Sequence, residues 1–91
     1  MVIVNVLIDI DLPFVQSLKG RRAVLNKMKE KLKKMNLSIL DVSGEYAKEG
    51  TLAAAFLSHN DRDAFSYVQQ IEALLERDFP EIEWKVSYEV I

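Results

Sequence analysis

The stretch SLKGRRAVLNKMKEKLKKMN, positions 17 to 36, holds eight of the chain's twelve Lys and Arg residues and a single acid, Glu30. It carries a net +7 in a protein of formal charge -2, which leaves -9 on the remainder. Cations at this density are suited to phosphate: they steer a polyanion and hold its backbone oxygens without reading its bases. The competing reading is that lysines simply solvate a helix face and supply helix propensity. At about 100° per residue, Lys19, Arg22, Lys29 and Lys33 share one outward strip, flanked by Lys27 and Lys34. Arg21 falls inside the apolar arc near the start of the helix. There a carboxylate is the first expectation for its guanidinium and a phosphate the second. The candidate RNA-binding residues are thus Lys19, Arg21, Arg22, Lys27, Lys29, Lys33 and Lys34.

Other chemistry is thinly represented. Asp9 and Asp11 fall on one strand face roughly 7 Å apart, a spacing compatible with a divalent cation or an acid-base pair, but no third ligand is evident. His59 is a lone imidazole in a turn. No nucleophile, base and oxyanion-stabilising set can be assembled, so a non-catalytic protein is expected, with no catalytic residue, metal or cofactor assigned. The chain has no cysteine, which removes disulfides, thiolate nucleophiles and the cysteine-based zinc and iron-sulfur ligand sets. A reducing cytoplasm is the expected compartment. Neither a signal peptide nor a membrane span is expected from VIVNVLIDI, which has no basic flank and reaches Asp9 too early.

These residues must be positioned by a single domain, residues 1-91, since the length is too short for two independent cores. From 2 to 12 every even residue is apolar (Val2, Val4, Val6, Ile8, Ile10, Leu12), a period of two that predicts a strand with one buried face. Pro13 ends it, and Ser17 can cap the helix that follows. In that helix Leu18, Val24, Leu25, Met28, Leu32 and Met35 make the core-facing stripe. Leu37 to Val42 reads as a second strand. TLAAAFL, 51 to 57, is ambiguous because alanine favours helix, but seven residues between Gly50 and a cap-like Asn60 suit a buried strand better. A second helix runs from Asn60 to about Asp78, with Asp61 and Asp63 in its first turn where the dipole favours acids. After Pro80, Ile82, Trp84, Val86, Tyr88 and Val90 alternate with Glu83, Lys85, Ser87 and Glu89 as a last strand. Phe14, Trp84 and Tyr88 are read as packing residues.

The order β-α-β-β-α-β predicts an α+β, ferredoxin-like split βαβ fold with a four-stranded antiparallel sheet and both helices on one face. The open face would show Ile3, Asn5, Leu7, Asp9 and Asp11, and a homodimer is expected through a sheet edge or through this face. An RNA recognition motif is not expected, because the first strand has no aromatic and 51-57 offers only Phe56 for base stacking.

The segment LPFVQSLKGRRAVLNKMKEKLKKMNLSILDV resembles the start of the DUF503, or YlxP-like, family of small bacterial proteins. The likeness rests on Ser17-Leu18-Lys19, the basic pair Arg21-Arg22, Val24-Leu25 and the strand ending Asp41-Val42, and extends more loosely through TLAAAFLSHND to the terminal EVI. Family members usually carry a charged residue at the position of Gly20 and commonly Glu at that of Asp41. The resemblance implies a ferredoxin-like fold and a family without an established activity, often encoded beside translation and ribosome-maturation factors. Two readings stay open. One is a non-catalytic protein that meets structured RNA or a ribosomal subunit through the first helix. The other is a homodimeric ACT-like module with a small ligand at the subunit interface, although such sites usually use a Gly-bearing loop after the first strand and the nearest glycine here is Gly20.

Overall fold

The computed structural model describes all residues, 1-91, as β1 (Val2–Asp11), α1 (Leu18–Lys33), β2 (Ser38–Asp41), β3 (Glu49–Ser58), α2 (Asp61–Asp78) and β4 (Glu83–Val90). The strands form one sheet in the order β2-β3-β1-β4, with every neighbouring pair antiparallel. This is the ferredoxin-like arrangement expected from the sequence. The ambiguous TLAAAFL segment is strand, lengthened at both ends, because it is the central partner of β1 along ten residue pairs from Val2↔Ser58 to Asp11↔Glu49. Pairing on both sides outweighs the helical preference of its alanines.

One side of the sheet is the core. Val4, Val6, Ile8 and Ile10 of β1 and Leu52, Ala54 and Phe56 of β3 are buried beneath Leu25, Met28 and Leu32 of α1 and Ala64, Val68, Ile71 and Leu75 of α2. Val2, Val24, Trp84 and Val86 pack half-buried at its margin. Phe14 and Tyr88 depart from expectation: Phe14 is 53% exposed and Tyr88, on the edge strand, 40%. The Phe56 and Tyr67 rings, 4.8 Å apart between centroids, join β3 to α2.

Both helices are capped as their sequences suggest. Ser17 Oγ accepts the Gly20 N–H at 3.0 Å, and Asn60 Oδ1 accepts the Asp63 N–H at 2.8 Å. After α1 the chain turns at Asn36, whose φ of 56° is a left-handed conformation that asparagine tolerates.

The other side of the sheet has no covering layer. The register sets its outward residues in rows: Leu57 and Ile3; Ser38, Ala55, Asn5 and Glu89; Leu40, Ala53, Leu7 and Ser87; Thr51, Asp9 and Lys85; Glu49, Asp11 and Glu83.

Close approach of α1 to the sheet depends on Gly50. A Cβ there would lie 2.9 Å from Leu25 Cδ1, and Leu25 is fully buried. Gly50→Val is therefore expected to destabilise the fold by about 1–3 kcal/mol, against less for Gly50→Ala, as read from chemical denaturation midpoints. Equal stability of Gly50→Val and the natural chain would contradict this contact.

Candidate nucleic-acid interface

The rotation of α1 about its axis is set by Leu25, Met28 and Leu32, which are fully buried. With that stripe held against the sheet, Lys19, Arg22, Lys27, Lys31, Lys33 and Lys34 are exposed and Lys29 is half-buried at the helix flank. None of these seven cations has a carboxylate within ion-pair distance. The one ion pair of the structure is Arg77–Asp78, on α2, at 3.0 Å. Lys31 and Lys33 lie in the last turn, where positive charge complements the helix dipole.

Lys19, Arg22 and Lys33 are exposed along the outward strip, and the two flanks beside it differ in their surroundings. Lys29 lies close enough to Asp41 of β2 to act on its titration. On the opposite flank Lys27, Lys31 and Lys34 line a cleft of about 450 Å³ with Glu30 and with Arg77, Asp78 and Phe79 from the end of α2. The Arg77 hydrogen bond, helped by Arg77, Lys31 and Lys34 as nearby charges, holds the Asp78 carboxyl below its ordinary value. Lys31 and Arg77 were not marked by the sequence pattern. Lys31 sits outside the outward strip on a helical wheel, and Arg77 reaches the cleft only because the two helices share one face.

Arg21 leaves the phosphate-binding set. It is the one buried charged residue, and its Nη1 donates to the carbonyl oxygens of Tyr46 and Glu49 at 2.9 and 3.0 Å. The expected carboxylate partner is thus replaced by two backbone carbonyls, one in the β2–β3 loop and one at the first residue of β3. A single guanidinium nitrogen serves both at once and so ties the helix to the end of that loop. Lys48 works in the reverse direction: its Nζ donates to Pro13 O and Val15 O, each at 2.8 Å, so the loop holds the turn that leads into α1.

Asp41 supports the same loop. Its Oδ1 accepts from Ser43 N at 2.9 Å and from Ser43 Oγ at 2.6 Å, a local turn that suits the short aspartate side chain. Burial pushes its pKa up, but the two Ser43 hydrogen bonds, with Arg21 and Lys29 nearby, outweigh this and hold it below 3.8.

The remaining candidates stay apart. Asp9 Oδ1 accepts from Thr51 Oγ1 at 3.2 Å and pairs across the strands with Lys85, while Asp11 lies one row further along. No group of three His, Cys, Asp or Glu side chains converges in the geometry of a metal site. His59 is exposed beside the start of α2, in a hollow with Asn36, Asp63 and Tyr67. The outward rows of the sheet contain no aromatic residue, so they offer no platform for stacking bases. No helix is long and apolar enough to cross a membrane.

Two outcomes are expected from these contacts. Arg21→Met should cost about 2–3 kcal/mol and speed amide exchange in residues 46–49, since two charge-assisted hydrogen bonds are lost together. For Asp41, a native pKa below the unfolded one means that its stabilisation is present above about pH 4 and is lost as the pH falls through the native value. Asp41→Asn should therefore lower stability at neutral pH and reduce the loss on acidification in urea titrations run at successive pH values.

The geometry can be set beside known proteins. Residues 3–87 match the family model described as "Protein of unknown function (DUF503)". No curated protein matches the sequence. Among solved structures the chain is similar to a protein of unknown function from Nitrosomonas europaea (12% identity, TM-score 0.61, covering 100% of this chain and 90% of that one). It is also similar to 30S ribosomal protein S6 from Thermotoga maritima (16% identity, TM-score 0.55, 98% and 89% covered). A third similar structure is a dimeric ferredoxin-like protein from an uncultured marine organism (12% identity, TM-score 0.53, 100% and 94% covered). At these identities the likenesses show the fold. The family match covers most of the chain, and the chain belongs to the DUF503 family.

Proposed function

We propose that this DUF503 member is a non-catalytic protein that binds the phosphate backbone of structured RNA, on its own or within a ribosomal subunit, through the cationic face of α1 and the adjoining cleft to α2. The observation that carries the reading is the set of seven cations on α1 and its C-cap with no carboxylate within ion-pair distance, on a chain of net charge -2. A face that served solubility alone would gain from mixing signs, as α2 does with five acids and two arginines. Along α1, Lys27 and Lys31, and Lys29 and Lys33, stand four residues apart. Each such like-charged pair costs about 0.2–0.5 kcal/mol of helix stability. A phosphate lying between them would reverse the sign of that term.

The absence of aromatics from the sheet face, together with long flexible lysines on α1, favours contact with backbone oxygens over base edges. Binding is then weakly selective for sequence and strongly dependent on salt. The frame is compatible with such a partner, since a 30S ribosomal protein is among its structural relatives. The acidic remainder of the surface would limit adhesion to the α1 side.

If about four phosphates are engaged, log K should fall against log salt with a slope of roughly -3 to -4. Reversing Arg22 and Lys29 to Glu should weaken binding and make the slope shallower by about two, with unchanged circular dichroism because neither side chain is in the core. Fluorescence anisotropy with a labelled RNA hairpin measures both. Equal affinity of the natural and reversed proteins, or no saturable binding at low salt, would contradict the proposal.

A further inference from the structure

We infer that the uncovered face of the sheet is an interface with a second copy of this chain, and that the pairing leaves the two basic helices on opposite outer surfaces of the dimer. The inference stands on the sheet, independently of what α1 binds. An antiparallel sheet with one wet face normally alternates polar residues outward. β4 does so, with Glu83, Lys85, Ser87 and Glu89, but the outward residues of β3 from 53 to 57 are Ala53, Ala55 and Leu57. Leu40 and Leu57 are more than 60% exposed and Ile3 and Leu7 nearly half, all on this one face. Between Leu7 and Leu40 the small side chains of Ala53 and Ala55 form the floor of an open groove of about 510 Å³. Large residues beside a small-residue floor make a surface with both the ridge and the trough that a two-fold contact requires, because the same patch must serve as both partners.

Charge selects how two such faces can meet. The last row across the sheet is Glu49, Asp11 and Glu83, three acids with no cation among them. A two-fold axis parallel to the strands would lay this row on its own copy, a repulsive juxtaposition. An axis in the plane of the interface and across the strands, passing between the Asn5 and Leu7 rows, avoids this. It puts the Leu40–Ala53–Leu7 row of one copy over the Ser38–Ala55–Asn5 row of the other and lets the acidic row overhang into solvent. The Ile3–Leu57 row then covers the row that holds Thr51, Asp9 and Lys85. The polar outward residues of β4 become the rim.

The four rows that meet hold thirteen outward residues. At about 4.8 Å between strands and about 7 Å between rows these span roughly 440 Å² in projection, less than the roughly 600 Å² per partner of standard interfaces, so the dimer is expected to be weak and concentration-dependent. Sheets packed face to face lie about 10 Å apart, so the α1 helices would sit roughly 30 Å apart with their cations directed away from each other. A dimer of this form presents two phosphate-attracting faces rather than one.

The test is mass in solution, by light scattering over a hundredfold dilution from about 100 μM. The natural chain is expected at twice its 10.4 kDa protomer mass at the upper end. Leu7→Glu/Leu40→Glu is expected at the protomer mass with unchanged circular dichroism, since both side chains already face outward. If that double variant loses its fold signal, Ala55→Lys, a single outward change, takes its place. A natural chain that is monomeric throughout would overturn the inference and leave the face to a different partner. A dimer that survives the substitutions would also overturn it, by locating the contact elsewhere.

Discussion

The burial of Leu25, Met28 and Leu32 against β1 and β3 is the constraint on which the rest of this molecule depends. These three side chains set how far α1 can rotate, and thereby direct every nearby lysine outward. The approach is close enough that a side chain at Gly50 would press on Leu25. The charge display is consequently a property of the core: the helix cannot turn its cations toward the sheet without exposing its apolar stripe. Burying such side chains contributes about 1.5–3 kcal/mol each, several times the value of an exposed ion pair, so packing decides and the cations remain unpaired.

A second layer of control lies at the end of the sheet where β1 runs into α1. Arg21 reaches from the helix to the β2–β3 loop, and Lys48 reaches from that loop back to the turn before the helix. Two of the chain's cations are thereby used to tie together backbone carbonyls of the loop and of the turn before α1. Asp41 and Ser43 complete the loop from within. Two kinds of positive residue are therefore present. Arg21 and Lys48 hold the fold together, while the other cations of α1 make no ion pair.

Much of this was legible in the chain. Strict alternation in 2–12 and 82–90 marked the two strands that flank each other, and the stripes at helical spacing marked both core-facing surfaces. Ser17 and Asn60 announced the helix starts, because capping is a local interaction between residues three apart. What remained hidden depends on contacts distant in sequence. The partners of Arg21 lie 25 and 28 residues away, on carbonyls that no side-chain pattern encodes. Arg77 meets Lys31 and Lys34 only once two helices share a face. The apolar character of the open sheet likewise needs the strand order, which alone sets Leu40, Ala53 and Leu7 side by side.

The central claim is that phosphate recognition resides on α1 and its cleft with α2, on the side of the molecule away from the open sheet. The most direct measurement is a heteronuclear NMR titration of the labelled protein with a structured RNA, following backbone amides and arginine side chains together. The account expects shifts concentrated between residues 19 and 34 and at Arg77, with Arg21 and the outward residues Ile3, Leu7, Ala53 and Leu40 unmoved. Shifts centred on those sheet residues, or none anywhere on α1 at low salt, would contradict it.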